Sequence, residues 1–80
     1  MSSIEDQINA ILIEEFELPE ESLTPDADLR DDLGLDSLDA IDLARKLEEQ
    51  RGIQIDTQAL VELNTLGDVY ALVTKLSSEA

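Results

Sequence analysis

Apolar residues recur at helical spacing in three separate stretches of this chain. Ile4, Ile8, Ile11, Leu12 and Phe16 form one stripe, with Glu5, Asp6, Gln7, Asn9, Glu14 and Glu15 on the opposite face. This spacing predicts a first helix over residues 3–16. Ser2 or Ser3 caps it, and Glu5 and Asp6 lie near the positive end of its dipole. A second stripe, Ala40, Leu43, Ala44 and Leu47, predicts a helix over 37–51, with Leu38 and Ile41 on a neighbouring, more exposed face. Asp36 is its natural N-cap, Gly34 supplies the turn before it, Asp39 sits in its first turn, and Gly52 ends it. The third stripe is Leu66, Val69, Leu72, Val73 and Leu76, a helix over 66–76 opened by a capping-box-like Thr65-Leu66-Gly67-Asp68. Residues 77–80 are expected to fray.

Between the first two helices runs a long connection, 17–36, broken by Pro19 and Pro25. Ser22-Leu23-Thr24-Pro25 reads as a helical turn within it. Its leucines, Leu18, Leu23, Leu29, Leu33 and Leu35, are too many for a loose loop and predict a segment packed onto the helices. Ile53-Gln54-Ile55 alternates like a strand but has no partner strand. It reads as a connector tucking both isoleucines inward, after which Asp56 caps a short helix over 57–63. The fold class is all-α: a four-helix bundle with three main helices, one short helix and a long first loop, as a single domain over 1–80.

Charge narrows the function. Twenty acidic residues face five basic ones, a net charge of −15. Such a surface repels phosphate backbones and anionic lipid, so neither nucleic acid nor membrane is an expected partner. It suits proteins with basic docking patches, or it serves solubility alone. A monomer whose stability responds to salt is expected. The apolar periodicity argues against disorder. Cysteine and histidine are absent, which excludes disulfides and the usual zinc frameworks. No apolar run reaches the length of a membrane span, and the N-terminus lacks a signal-peptide pattern, so a cytoplasmic location is expected.

Catalysis finds little support. A nucleophilic serine needs a base, there is no histidine, and Lys46 and Lys75 sit in polar contexts. A calcium loop starting at Asp26 would put Arg30 at its fifth position, Asp31 at its sixth and Ser37 at its twelfth, which fails the EF-hand pattern. No metal site is expected beyond diffuse divalent binding to the acidic faces.

Ser37 remains. On spacing alone, a serine after Asp36 at a helix start is ordinary capping chemistry, and that reading leads. Three features move it. The glycine turn before it exposes the hydroxyl, a helix N-terminus suits an attached phosphate, and Asp31, Asp32, Asp36, Asp39 and Asp42 ring it. Asp32-Leu33-Gly34-Leu35-Asp36-Ser37-Leu38-Asp39 then resembles the D-L-G-x-D-S-L-[DE] signature of the acyl carrier proteins. Leu47-Glu48-Glu49, Ile55 before a short helix and a Thr65-led last helix fall in register with the same family.

The resemblance implies that a phosphopantetheinyl transferase, using coenzyme A and Mg²⁺, attaches a 4′-phosphopantetheine arm to Ser37. The thiol of the arm holds acyl groups as thioesters, and the chain itself catalyses nothing. By the same resemblance, Asp36, Asp39, Asp42, Glu48 and Glu49 face basic patches on acyl-synthesis or acyl-transfer enzymes, with Leu38 and Ile41 adding apolar contact. An interior lined by Leu47, Leu60, Leu63 and Val69 would hold part of the cargo. Arg45 stands where housekeeping fatty-acid carriers usually have an apolar residue. Gln58-Ala59-Leu60-Val61 replaces a usually acidic run, Asp56 replaces the common proline, and Val61 is expected to be exposed. A carrier for fatty-acid, polyketide or specialised lipid enzymes fits these departures. The alternative reading is an unmodified acidic helical adaptor for a basic partner.

Overall fold

A computed structural model of the chain describes residues 3–79. Its elements are α1 (Ile4–Phe16), a 3₁₀ turn (Glu20–Ser22), α2 (Ser37–Arg51), α3 (Thr57–Val61) and α4 (Leu66–Glu79). Each main helix starts on a reciprocal cap. Ser3 Oγ accepts the Asp6 N–H, and Asp6 reaches back to the Ser3 N–H. Asp36 and Asp39 repeat the exchange at α2, and Thr65 and Asp68 at α4, where Asp68 also accepts the Asn64 N–H. Ser3 is the cap of α1; Ser2 lies outside the described residues.

The apolar stripes meet in one core. Ile8, Leu12, Ala44, Leu47, Leu66 and Val73 are fully enclosed. The long connection packs down as its leucines require, with Leu23, Leu29, Leu33 and Leu35 buried and Leu18 against the core. Ile53 and Ile55 also point inward. Three hydrogen bonds dock the connection on the start of α4: Leu29 N–H to the Asn64 carbonyl at 2.9 Å, Leu66 N–H to the Ala27 carbonyl at 3.0 Å and Gly67 N–H to the Pro25 carbonyl at 3.0 Å. Gly67 lets this seam close. A Cβ there would stand 3.0 Å from the Pro25 carbonyl oxygen, the same oxygen that accepts the Gly67 N–H.

Three boundaries differ from the sequence expectation. The turn in the long connection forms at Glu20–Ser22 rather than over 22–25: Pro19 opens it, and the Ser22 and Leu23 N–H groups close it on the Pro19 and Glu20 carbonyls. α3 ends at Val61 rather than at 63. The Leu63 N–H turns back to the Leu60 carbonyl at 3.1 Å, a 3₁₀-type bond that closes the helix, and the Val61 carbonyl it leaves free of the helix accepts from Arg30 Nη2 at 3.2 Å. α4 continues to Glu79 rather than stopping at 76. Ser77 Oγ there accepts from Arg51 Nε at 3.1 Å, and the same guanidinium donates to Gln7, so α1, α2 and α4 are tied together at this end.

Candidate functional site

The start of α2 is built by the loop before it. Asp28 Oδ1 accepts the N–H groups of Arg30 and Asp31, and Asp32 Oδ2 accepts the Asp28 N–H at 2.7 Å. These bonds wind residues 28–35 tightly, and they hold the Asp28 carboxyl below its ordinary 3.8, the backbone N–H groups of Asp31 and Arg30 being the main cause. The loop carboxylates thus serve as acceptors for backbone N–H groups. Gly34 then takes a left-handed φ of 67°, which a side chain would resist, and Leu35 returns to the core with its N–H on the Leu29 carbonyl. The chain leaves this turn at Asp36, the cap, and Ser37 is the first residue of α2.

Ser37 is exposed. An apolar cleft opens beside it between the loop, α2 and α3. Leu35, Ala40, Leu43, Leu60, Val61, Leu63 and Val69 form its walls, and Arg30 and Asp36 its rim. The space enclosed in it is small, about 20 Å³, no more than one water needs. Leu60, Leu63 and Val69 line it as the sequence suggested. Leu47 does not: it is fully enclosed in the helix core. Val61, half-buried, belongs both to this cleft and to a shallow groove on the other side of Ser37 formed with Ile41, Thr57 and Gln58.

The acidic residues named on α2 divide into two kinds. Asp42 and Glu49 are exposed, as is Arg45, and among the described residues Arg45 has no ion pair, the one such pair being Lys46–Glu15 at 3.6 Å. Asp36 and Asp39 each have one oxygen committed to the α2 cap. Glu48 is half-buried, and its Oε2 accepts the Ile55 N–H at 2.8 Å. Leu38 and Ile41 stand out among these, Leu38 at 75% exposure being the most open large apolar side chain described.

Arg30 was not legible in the sequence as part of this site, and Glu48, expected on the docking face, gave no sign there of its contact with Ile55. Arg30 lies in a run of loop aspartates and touches α3 across 31 positions. Glu48 reads as one more surface acid until its bond to Ile55 is seen. Neither carries a local signal, because both contacts exist only once the loop and α3 are folded against α2.

Residues 6–73 match the family model described as a phosphopantetheine attachment site. The chain is also 38% identical over 71 residues to an acyl carrier protein of Saccharopolyspora erythraea, an alignment covering 89% of this chain and 75% of that one. The chain belongs to the acyl carrier proteins. Its fold matches a solved structure assigned as an acyl carrier protein of Mycobacterium tuberculosis with a TM-score of 0.80 and 33% identity, covering 91% of this chain and 97% of that one. Like its family, this acyl carrier protein is not an enzyme. It holds 4′-phosphopantetheine covalently, receives it from a phosphopantetheinyl transferase, and serves enzymes that act on acyl groups. The surroundings of α2 fit such a group: an exposed hydroxyl, a helix N-terminus favourable to phosphate, and an apolar cleft within reach. No helix among the described residues is long and apolar enough to cross a membrane.

Proposed function

We propose that Ser37 is the residue that carries the 4′-phosphopantetheine arm, within a single carrier domain formed by α1 to α4. The observation that supports this most directly is the position of Ser37. It is the exposed first residue of α2, inside Asp32-Leu33-Gly34-Leu35-Asp36-Ser37-Leu38-Asp39, and at the mouth of the apolar cleft. In the loading step, Ser37 Oγ bonds to the phosphorus of coenzyme A that bears pantetheine, and the pyrophosphate bond breaks. Adenosine 3′,5′-bisphosphate leaves, and the hydroxyl proton goes to the transferase, which also supplies Mg²⁺. The arm's terminal thiol then accepts acyl groups as thioesters.

Docking belongs to the face of α2 around Ser37. Asp36, Asp39, Asp42, Glu48 and Glu49 supply negative charge toward basic patches of partner enzymes, and Leu38 and Ile41 supply apolar contact. Each exposed pair contributes well under about 1 kcal/mol, so the set acts through its summed field and its effect on encounter rate. Arg45 opposes partners that present a cation at its position and so narrows the choice among them. The chain works as a monomer in the cytoplasm, in a fatty-acid, polyketide or specialised lipid pathway rather than only in housekeeping fatty-acid synthesis.

Intact mass after incubation with coenzyme A, Mg²⁺ and a broad-specificity phosphopantetheinyl transferase tests the assignment. The parent gains one phosphopantetheine and Ser37→Ala gains none. A parent that gains the arm along with Ser37→Ala would move the attachment elsewhere. A folded parent that gains none beside an active control carrier would leave the unmodified acidic adaptor as the better reading.

A further inference from the structure

Of the five basic residues, Arg30 is the one that lines the cleft beside Ser37. Lys46 pairs with Glu15, Arg51 is bonded to Gln7 and Ser77, Arg45 stands exposed on α2, and Lys75 lies on α4. Arg30 also ignores its neighbours in the loop. Asp28, Asp31 and Asp32 flank it in sequence, yet among the described residues it forms no ion pair. Asp28 and Asp32 turn carboxylate oxygens to backbone N–H groups instead, one of them that of Arg30 itself. The guanidinium reaches across to α3, where Nη2 donates to the Val61 carbonyl at 3.2 Å. Val61 and Ser37 both line the cleft, and both line the shallow groove on the other side of Ser37. Arg30 lines the cleft and has no part in that groove. Its guanidinium is therefore held at the mouth of the cleft, on one side of the hydroxyl, with only Nη2 engaged among the described residues.

We propose that Arg30 is a positioning residue for the phosphopantetheine arm: its guanidinium pairs with the phosphodiester on Ser37 and turns the arm toward the apolar cleft. This rests on the Ser37 reading above. A phosphodiester stays anionic at neutral pH, so attachment adds negative charge to a chain already at −15. Asp36 and Asp39 stand beside it at the start of α2. The helix N-terminus answers only part of that repulsion. Its Asp39 N–H is already given to the Asp36 side chain and its Ala40 N–H to the Asp36 carbonyl. Arg30 adds a full positive charge, and the planar guanidinium matches phosphate oxygens in pairs. The Val61 carbonyl aims the group beforehand, which lowers the ordering cost of the pairing. The pairing also sets a direction. From Ser37 an arm can lie over the apolar cleft or along the groove of Ile41, Thr57 and Gln58. A contact to Arg30 draws its first bonds to the cleft side, where Leu35 and Leu63 meet its apolar parts.

NMR of the protein before and after loading tests this, with loading confirmed by intact mass. When the parent is loaded, the Arg30 Nε–H signal is expected to move downfield and its solvent exchange to slow about tenfold, while that of Arg45 holds. The phosphorus signal of loaded Arg30→Met is displaced from that of the loaded parent. Arg30→Lys, which keeps the charge, stays nearer the parent, and Lys75→Met coincides with it. The displacement shrinks as NaCl is raised, because an exposed pair is screened. Nuclear Overhauser contacts from the geminal methyl groups of the arm reach Leu63 in the parent and spread to Ile41 and Thr57 in Arg30→Met. Each variant is compared loaded against unloaded, so loss of the Val61 bond, common to both forms, cancels. An Arg30 Nε–H signal unmoved by loading, or one phosphorus position shared by the parent and Arg30→Met, would overturn the pairing. Identical methyl contacts in those two proteins would overturn the direction. A parent that takes no arm on Ser37 overturns the Ser37 reading and this one with it, and the mass assay shows that before any spectrum is compared.

Discussion

The two sides of this bundle are built differently. On one side α1 and α4 pack along their stripes. Tyr70 donates to Asn9 between them, burial pushes its phenol above the ordinary 10, and Arg51 joins both helices to the end of α2. On the other side a wound loop and a five-residue helix lean on α2, held by a few long-range polar contacts over a narrow cleft. The first side resembles a frame, tied across its helices by Tyr70, Asn9, Gln7, Arg51 and Ser77. The second keeps exposed apolar residues, an exposed hydroxyl and the acidic face. The polar ties between helices thus gather on one side, and the exposed hydroxyl with its apolar cleft lies on the other.

Leu66 and Leu60 break or sharpen this contrast most strongly. Both are buried leucines, at 0% and 1% exposure. Leu66→Ala, in the frame, should cost about 3–5 kcal/mol in urea unfolding, while Leu60→Ala should cost about 2 kcal/mol or less because α3 can settle into the space. Equal losses would mean that α3 belongs to the frame.

A smaller effect is expected at the tie of the three helices. Arg51→Met keeps most of the stem and removes the bonds to Gln7 and Ser77. A loss of about 1–2 kcal/mol should appear in urea unfolding, with faster amide exchange in the last turn of α4. If α4 exchange is unaltered, the extension of that helix past 76 has another cause.

The smallest effect is a pH dependence shared by the two sides. Asp28 in the loop and Asp68 at α4 are both held below 3.8, chiefly by backbone N–H groups, of Asp31 and Arg30 in one case and of Thr65 and Asn64 in the other. A depressed folded value means stabilisation that is complete above the ordinary value and fades as pH falls through the lowered one. Asp28→Asn and Asp68→Asn should therefore melt below the parent at pH 6, and the gap should close on acidification through 3.8 and below. A gap that is constant with pH would show that the carboxylates act by shape and not by charge.

Much of this was legible in the chain. The stripes of α1, α2 and α4 reappear as buried or partly buried residues of one core, and α2 spans 37–51 because Asp36 and Gly52 are unambiguous local stops. The loop leucines declared themselves by number, since apolar residues so dense cannot all face water. Leu38 and Ile41 stayed outside as their angular position required. The misses cluster where a helix end is decided from afar. α3 closes early where the Leu63 N–H turns back to Leu60 and Arg30 meets the Val61 carbonyl, and α4 runs on where Arg51 reaches Ser77. Gly67 read as part of a cap, whereas its lack of a side chain matters most for the approach of Pro25.

By itself, the sequence determined the number of helices, their caps, the acidic character of the surface and the motif around Ser37. All of these depend on residues within a turn or two of each other, where spacing and capping chemistry suffice. Only the tertiary structure decided that Arg30 and Glu48 meet α3, that Leu47 stays out of the cleft, and that the cleft opens at Ser37. Those facts depend on partners as far apart as 31 positions, and no local pattern encodes which surface atom will be left to receive a distant side chain.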